Sequence, residues 1–327
     1  MAVGVDVGTN SLVAATADVD GNIVYKTERD CFYRIVPKSK VNRSAIKTSL
    51  EQRGSSFIED GNDLIVVGEQ AIQIALDRND STMRPMQQGV ISPKDKANLP
   101  MLKLLLKGLI GEGSGTLVYS TPSEPIDGGF DIEYHTSLLN MFFSELGYSP
   151  IPINEAFAIG LSELLDEGLT GITISSGAGM QNVAIMAQGD PIVTFSTLRS
   201  GDYIDQMVGT ALDLSPSLVQ LEKEAGVNLL APNNKIMEAV VVYYQAVINY
   251  TIRSIMFELN KRKKNLPVFR EPVPVVLGGG LAWADGYVEV FEKALRATAF
   301  PFEIGTVKRA DNPNYCVAKG ALLASQL

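Results

Sequence analysis

The sequence predicts an α/β protein made of two similar domains that face each other across a cleft. Three observations predict it. Strand-like and helix-like segments alternate along most of the chain. The stretch GITISSGAGMQNVAIMAQGDPIVTFST repeats, roughly half a chain later, the pattern of the opening AVGVDVGTNSLVAATADVDGNIVYKT. The 327 residues exceed one small core, and 46% hydrophobic residues suffice for two larger ones.

Each element has a local reason. The opening stretch reads as strand, Gly-Thr-Asn-Ser turn, strand, Asp-Gly turn, strand. Residues 36–62 are polar and give no clear period. LIVVGEQAIQIAL reads as a strand entering a helix, and RPMQQGVISP as a run of turns. LPMLKLLLKGLIG is short and internal, so a core helix explains its leucines better than a membrane segment does. GTLVYSTPS, DIEYHTSLLNMFFSELG and SPIPIN read as strand, helix and strand, and a helix starts at Glu155. In the repeat, Ser175 takes the place of Asp6, Gly177 that of Gly8 and Gly189 that of Gly21. Helices are expected at DYIDQMVGTALD, SPSLVQLEKEAG and 235–262. PVPVVLGGGLAWADGYVEVFEKALR then reads as strand, glycine turn and helix, and the small residues of NPNYCVAKGALLASQL suit a tightly packed last helix.

Composition narrows the chemistry. A net charge of −9 opposes generic attraction to nucleic acid or to anionic membranes, although a local basic patch can survive in such a chain. No specific nucleic-acid partner is expected. The run Lys261-Arg262-Lys263-Lys264 suits the negative end of the preceding helix better than a nucleic-acid patch, because it lacks interleaved aromatics. Cys31 and Cys316 are too few and too far apart for a disulfide framework or a zinc site. The start, MAVGVDVG, enters a strand directly and carries no signal-peptide pattern, so a cytoplasmic protein is expected. A lone His135 is expected on a surface or a helix face, and it excludes a Ser-His-Asp triad and a multi-histidine metal site.

Three glycine turns, each at a strand end, are the candidate binding elements. Glycine lets backbone N–H groups approach an anion closely, and two facing hairpins can grip a polyphosphate from both sides. The first hairpin offers Gly8, Thr9, Asn10 and Ser11, and the second offers Ser176, Gly177, Ala178, Gly179 and Gln181. The third turn, Gly278-Gly279-Gly280, offers bare backbone for a base or sugar.

With these turns in this order the chain resembles the actin-like ATPase superfamily, and within it the prokaryotic actins MreB, MamK and ParM. VDVGTNSLVAA resembles the first phosphate motif, ISSGAGMQNVAI the second and PVVLGGGLAWADGYVEVF the adenosine motif. INEAFAIGLSELL and NPNYCVAKGALLA resemble the two connecting helices. VVGEQAIQIAL, RPMQQGVISP and LRSGDYIDQMV resemble segments of MreB and MamK. The resemblance implies a duplicated actin-like fold with mixed sheets flanked by helices. Domain I would span 1–155, with a small outer subdomain at 34–65, completed by the C-terminal helix 310–327. Domain II would span 156–309, with an outer subdomain at 206–250.

It also implies roles. Asp6 would hold the Mg2+ of MgATP through water, as suits a hard, hydrated cation. Glu155 would orient the water that attacks the γ-phosphate. Glu222 and Lys223 fall where relatives meet ribose and adenine. Asp202 and Asp205 either close the cleft or cap and charge their helix. Ser175 departs from the pattern, since relatives carry an aspartate there. Serine supplies a hydroxyl without a charge, so nucleotide binding is expected to survive and hydrolysis to be slow.

The function expected is that of a cytoskeletal protein that binds ATP or ADP with Mg2+ and polymerises with itself into filaments. A non-polymerising nucleotide-binding adaptor or chaperone-like regulator is the main alternative, and a small-molecule kinase a weaker one, since no substrate-base aspartate is evident. Attachment to the cytoplasmic membrane or to a cargo adaptor stays open.

Overall fold

The repeat read from the sequence folds into two sheets of the same design. A computed structural model describes residues 2–78 and 80–327. In the first half the chain forms β1 (Val3–Val7), β2 (Ser11–Ala17), β3 (Ile23–Arg29), β4 (Phe32–Ile35), α1 (Lys40–Gln52), β5 (Phe57–Asp60), β6 (Asp63–Val67) and α2 (Glu69–Asp77). After them come α3 (Leu99–Ile110), β7 (Thr116–Thr121), α4 (Glu133–Glu145) and β8 (Ser149–Asn154). The second half forms α5 (Glu155–Glu163), β9 (Gly171–Ser176), β10 (Gln181–Ala187), β11 (Asp190–Thr197), α6 (Gly201–Leu212), α7 (Pro216–Ala225) and α8 (Lys235–Lys261). It ends with β12 (Val273–Gly278), α9 (Tyr287–Arg296), β13 (Ile304–Arg309) and α10 (Cys316–Ala324).

The first sheet has the order β3-β2-β1-β7-β8 and the second β11-β10-β9-β12-β13. In both, a three-stranded antiparallel meander continues into two parallel strands. The registers agree as well: Asp6 pairs with Val13, and Ser175 pairs with Asn182. A third, antiparallel sheet, β4-β6-β5, pairs with neither of these two, although its Phe32, Ile65 and Val67 pack into the first core.

Central strands buried on both faces read as unbroken apolar runs. Every residue of β9 is buried. One face packs with Val183, Phe195, Tyr244 and Phe291 in the second core. The other faces α5, with Ala156, Ile159, Ala184 and Met186 in one cluster. The first core gathers Val5, Leu12, Leu102, Leu106, Tyr119 and Phe143. The buried side chains of 206–250, among them Val208, Val219, Val240 and Tyr244, join the second core and are not set off by a sheet of their own.

Small residues tie the end of the chain to its start. A Cβ on Gly320 would lie 1.8 Å from the Ala158 carbonyl oxygen, and one on Gly4 would lie 2.2 Å from the Leu322 nitrogen. Helix α10 therefore packs backbone against backbone on α5 and β1, which the small residues of NPNYCVAKGALLA permit.

Two expectations change. The polar stretch 36–62 contains α1 and β5. Only Leu50 of α1 is fully buried, so no apolar period marks it. The Ser39 hydroxyl caps the helix by accepting from the Asn42 N–H, and Arg43 and Lys47 pair with Glu59 of β5. His135 is on a helix face but not at the surface. It is 1% exposed, and its Nδ1 accepts the Ile91 N–H at 3.1 Å. Burial pushes its pKa down to about 4.

Candidate functional site

Both meanders deliver their first hairpin to one cleft of about 760 Å3. Gly8, Thr9, Asn10 and Ser11 join β1 to β2 on one wall, and Gly177, Ala178 and Gly179 join β9 to β10 on the other. The hairpins nearly touch. A Cβ on Gly179 would lie 2.4 Å from Thr9 Oγ1 and 2.4 Å from the Gly89 nitrogen. Among the described residues, the backbone N–H groups of Gly8, Thr9, Asn10, Ala178 and Gly179 donate to no protein acceptor. Uncommitted amides in facing glycine turns suit an anion with several oxygens.

The third turn contributes Gly279 and Gly280 to the cleft. Gly279 has φ +82°, and a Cβ there would come within 2.6 Å of the Ser176 backbone. Only glycine meets both conditions.

Two carboxylates form the floor. Asp6, next to last in β1, accepts the Ser120 hydroxyl proton through Oδ1 at 2.8 Å. Ser120 is itself held by the Val7 N–H at 2.9 Å. The second Asp6 oxygen has no partner among the described residues. Glu155 opens α5, behind Asn154, whose side chain caps the helix by accepting from the Phe157 N–H. The Glu155 carboxylate takes two hydrogen bonds, from Ser175 Oγ at 2.5 Å and from Asn182 Nδ2 at 2.8 Å. Ser175 and Asn182 are cross-strand partners in β9 and β10, so their side chains share a face. The Ser123 N–H fixes the Asn182 amide by donating to its Oδ1 at 3.0 Å.

Burial raises the pKa of both carboxyls above the ordinary carboxylate range, and for Glu155 the nearby Asp6 charge raises it further. Two acids held together in a partly dry floor attract a cation. Among the described residues no three His, Cys, Asp or Glu side chains converge as a ligand cage. The donor set, one carboxylate with a free oxygen beside a second acid, fits a hydrated Mg2+ that keeps most of its own waters.

The lip of the cleft is bridged by side chains. Arg84 holds both Asp202 oxygens at 2.8 and 2.9 Å and also donates to Asn10 and Gln220. Arg29 pairs with Glu224 at 2.9 Å, and Asn10 Nδ2 reaches the same carboxylate. Lys223 binds Asp205 at 2.6 Å, which leaves Asp205 nearly buried beside the cleft. Asp202 thus bridges the lip and also puts an acid in the first turn of α6, while neither aspartate caps that helix with a hydrogen bond.

Of the residues expected from the sequence, the cleft gathers Asp6, Gly8, Thr9, Asn10, Ser11, Glu155, Gly177, Ala178, Gly179, Lys223, Gly279 and Gly280. Four lie elsewhere. Ser176 and Gln181 are cross-strand partners on the opposite face from Ser175, and they bond each other at 2.7 Å in the core beside Tyr287. Strand alternation places them there. A Cβ on Gly278 would meet Ile159 and Cys316 of the crossing helices, away from the cleft. Glu222 lies about 100° from Lys223 around α7 and does not line the cleft. Helical spacing instead brings Gln220, Lys223 and Glu224 to it.

Sequence reading missed Ser120, Asn182, Arg29, Arg84, Gln220 and Glu224. Asn182 was within reach, because it follows Ser175 across its hairpin by the interval that separates Val13 from Asp6. Arg84 carries no local signal.

The fold is shared with solved actin-like structures. A MamK double-helical filament is 18% identical, with 99% of this chain and 98% of that one aligned at a TM-score of 0.69. MreB5 of Spiroplasma citri bound to AMPPNP is 17% identical over 97% of this chain and 93% of that one, with a TM-score of 0.68. The ethanolamine utilization protein EutJ from Carboxydothermus hydrogenoformans is 15% identical over 98% and 89%, with a TM-score of 0.58. The chain therefore has the actin-like ATPase fold that its motifs suggested. No curated protein matches it. Among the described residues no helix is long and apolar enough to cross a membrane. One family model takes in both duplicated sheets, the crossing helices and every wall of the cleft, matching residues 1–325, and the chain belongs to the Volactin family.

Proposed function

We propose that this protein is an actin-like cytoskeletal filament protein of the cytoplasm that binds MgATP in the cleft and hydrolyses it slowly. One observation carries the reading: two glycine hairpins with uncommitted N–H groups face each other above Asp6 and Glu155. The Gly8–Ser11 and Gly177–Gly179 backbones would hold the phosphates, and Asp6 would hold Mg2+ through water. Gly279, Gly280 and Lys223 would flank the nucleoside. Bound MgATP supplies the γ-phosphoryl group and the charge compensation for its transfer to water.

Glu155 would orient that water, a role supported by the Ser175 and Asn182 hydrogen bonds that hold its carboxylate. Ser175 brings no charge of its own, which is the reason for slow turnover. The MamK and MreB5 likenesses favour assembly. Head-to-tail contacts between unlike surfaces do not close on themselves and so make filaments. ATP across the cleft would favour the assembling form.

Sedimentation and negative-stain microscopy with ATP, ADP and no nucleotide test assembly, and phosphate release from wild type and Glu155→Ala tests turnover. Filaments that depend on nucleotide, with release lost in the variant, are expected. Protein that stays monomeric at high concentration in every state removes the filament reading. The serine at 175 favours one second reading: an adaptor that binds nucleotide without turning it over, seen as tight binding with background release in both proteins.

A further inference from the structure

The basic run after α8 divides into two parts with different uses. Lys261 and Arg262 both pair with Glu258, and Arg262 also donates to the Glu258 carbonyl at the helix end. Lys263, Lys264 and Arg270 are exposed and have no acidic partner among the described residues. Arg253, two turns earlier on the same helix, is also exposed and bonds only the Asn249 carbonyl.

Apolar groups stand among these cations. Val268 is 88% exposed and Phe257 57%. The next residue, Phe269, stacks edge-on against Phe302 at 4.7 Å, and Phe302 contacts Phe300. That anchor pins the loop to the body and leaves its neighbour Val268 outward. The Lys261 ammonium lies 4.3 Å over the Phe257 ring. Phe257 and Lys261 then line a shallow groove with Ile126, Tyr250 and Arg253.

We propose that this face, the end of α8 with the loop 261–271, docks on an anionic lipid bilayer. Charge complementarity carries the choice. From 261 to 271 the chain has five cations and one acid, Glu271, although the whole protein carries a net charge of −9. Two exposed acids flank this face: Glu303, just before β13, and Asp127, which accepts the Tyr250 hydroxyl beside the groove. Cations grouped beside outward aliphatic and aromatic side chains fit a surface that is negative at the headgroups and apolar beneath them. A nucleic acid offers the charge but gives exposed Val268 nothing to enter.

Filaments, where they form, would repeat the face along their length, so that weak single contacts sum. The monomer face stands without that.

Co-sedimentation of the full chain with vesicles containing about 30% phosphatidylserine in phosphatidylcholine, against phosphatidylcholine alone, tests this. Wild type is expected to pellet only with the anionic vesicles, and about 0.5 M salt is expected to release it. Lys263→Glu with Lys264→Glu should weaken binding at least about thirty-fold. Val268→Ser, which keeps every charge, should weaken it about three-fold or more. Circular dichroism unchanged from wild type shows that the variants fold. The inference is overturned if wild type ignores anionic vesicles or if the double variant binds as well as wild type. It is overturned equally if the variants lose self-assembly while keeping vesicle binding, or if an oligonucleotide duplex binds this face and vesicles do not.

Discussion

Ser175 donates its hydroxyl proton to the carboxylate of Glu155 at 2.5 Å, from the strand that carries the second hairpin to the helix that leaves the first sheet. A residue that looked like a lost acid is therefore a positioning contact. An aspartate at this place would set a third carboxylate beside Asp6 and Glu155. Ser175→Ala leaves one buried-side oxygen of Glu155 without its donor, at a cost of about 1–3 kcal/mol. Expected are a lower melting temperature and phosphate release reduced about ten-fold or more, with nucleotide affinity nearly unchanged. Calorimetry, a release assay and equilibrium titration read the three quantities separately.

Asp6 and Glu155 are both buried, which opposes their ionisation, and the Asp6 charge adds to the cost of ionising Glu155. Asp6→Asn keeps the acceptor for Ser120 and removes one charge, so the ligand-free protein should gain about 1 kcal/mol. The same change should abolish the extra thermal stability that MgATP confers beyond ATP with a chelator. A thermal-shift series with and without Mg2+ decides it. A variant that keeps the full Mg2+ increment shows that Asp6 is not the cation's holder.

Arg84 binds Asp202 through both oxygens and draws Asn10 and Gln220 into the same cluster across the lip. Both Asp202 contacts come from one nitrogen, Nη1, while Nη2 serves Asn10 and Gln220, and charge-assisted hydrogen bonds are the stronger ones. Arg84→Ala should loosen closure and speed nucleotide release about ten-fold, with little change in association rate. Stopped-flow displacement of a fluorescent nucleotide measures it. Equal release rates in both proteins would leave the bridge without a gating role.

Gly320 faces the Ala158 carbonyl with no room for a methyl group. Gly320→Ala must push α10 off α5, and an overpacked crossing of two helices costs about 1–3 kcal/mol or more. Lower soluble yield and a depressed melting temperature are expected. Gly21→Ala, at a turn with open space around it, is a contrasting variant whose penalty comes from its φ of +85° alone.

His135 supplies a pH dependence. Its folded pKa is about 4 against an ordinary 6.5, so between these values the unfolded chain binds a proton that the folded one refuses. Stability therefore falls as pH drops through that window, by up to about 3 kcal/mol, and levels off below it. The raised carboxyls of Asp6 and Glu155 act in the opposite sense, so the histidine share appears only as a difference. His135→Gln can still accept the Ile91 N–H and should remove it. Denaturation at pH 7 and pH 4.5 for both proteins provides the comparison.

The sequence by itself determined the duplication and most of the cleft. Gly8, Gly177 and Gly279 were legible because a backbone that must turn sharply, or pass close to another, leaves only glycine. Asp6 and Glu155 were legible through the family resemblance, which fell on a strand end and a helix start. The outer helix α1 was not, since one buried leucine leaves no period to find. Tertiary structure alone decided which side of each element meets the cleft. Strand alternation turned Ser176 and Gln181 into the core, and helical rotation exchanged Glu222 for Glu224. It also decided the partners of Arg84, which lie 118 and 136 residues away in Asp202 and Gln220. Such pairings depend on how two sheets come together, and a single chain read in order carries no local mark of that approach.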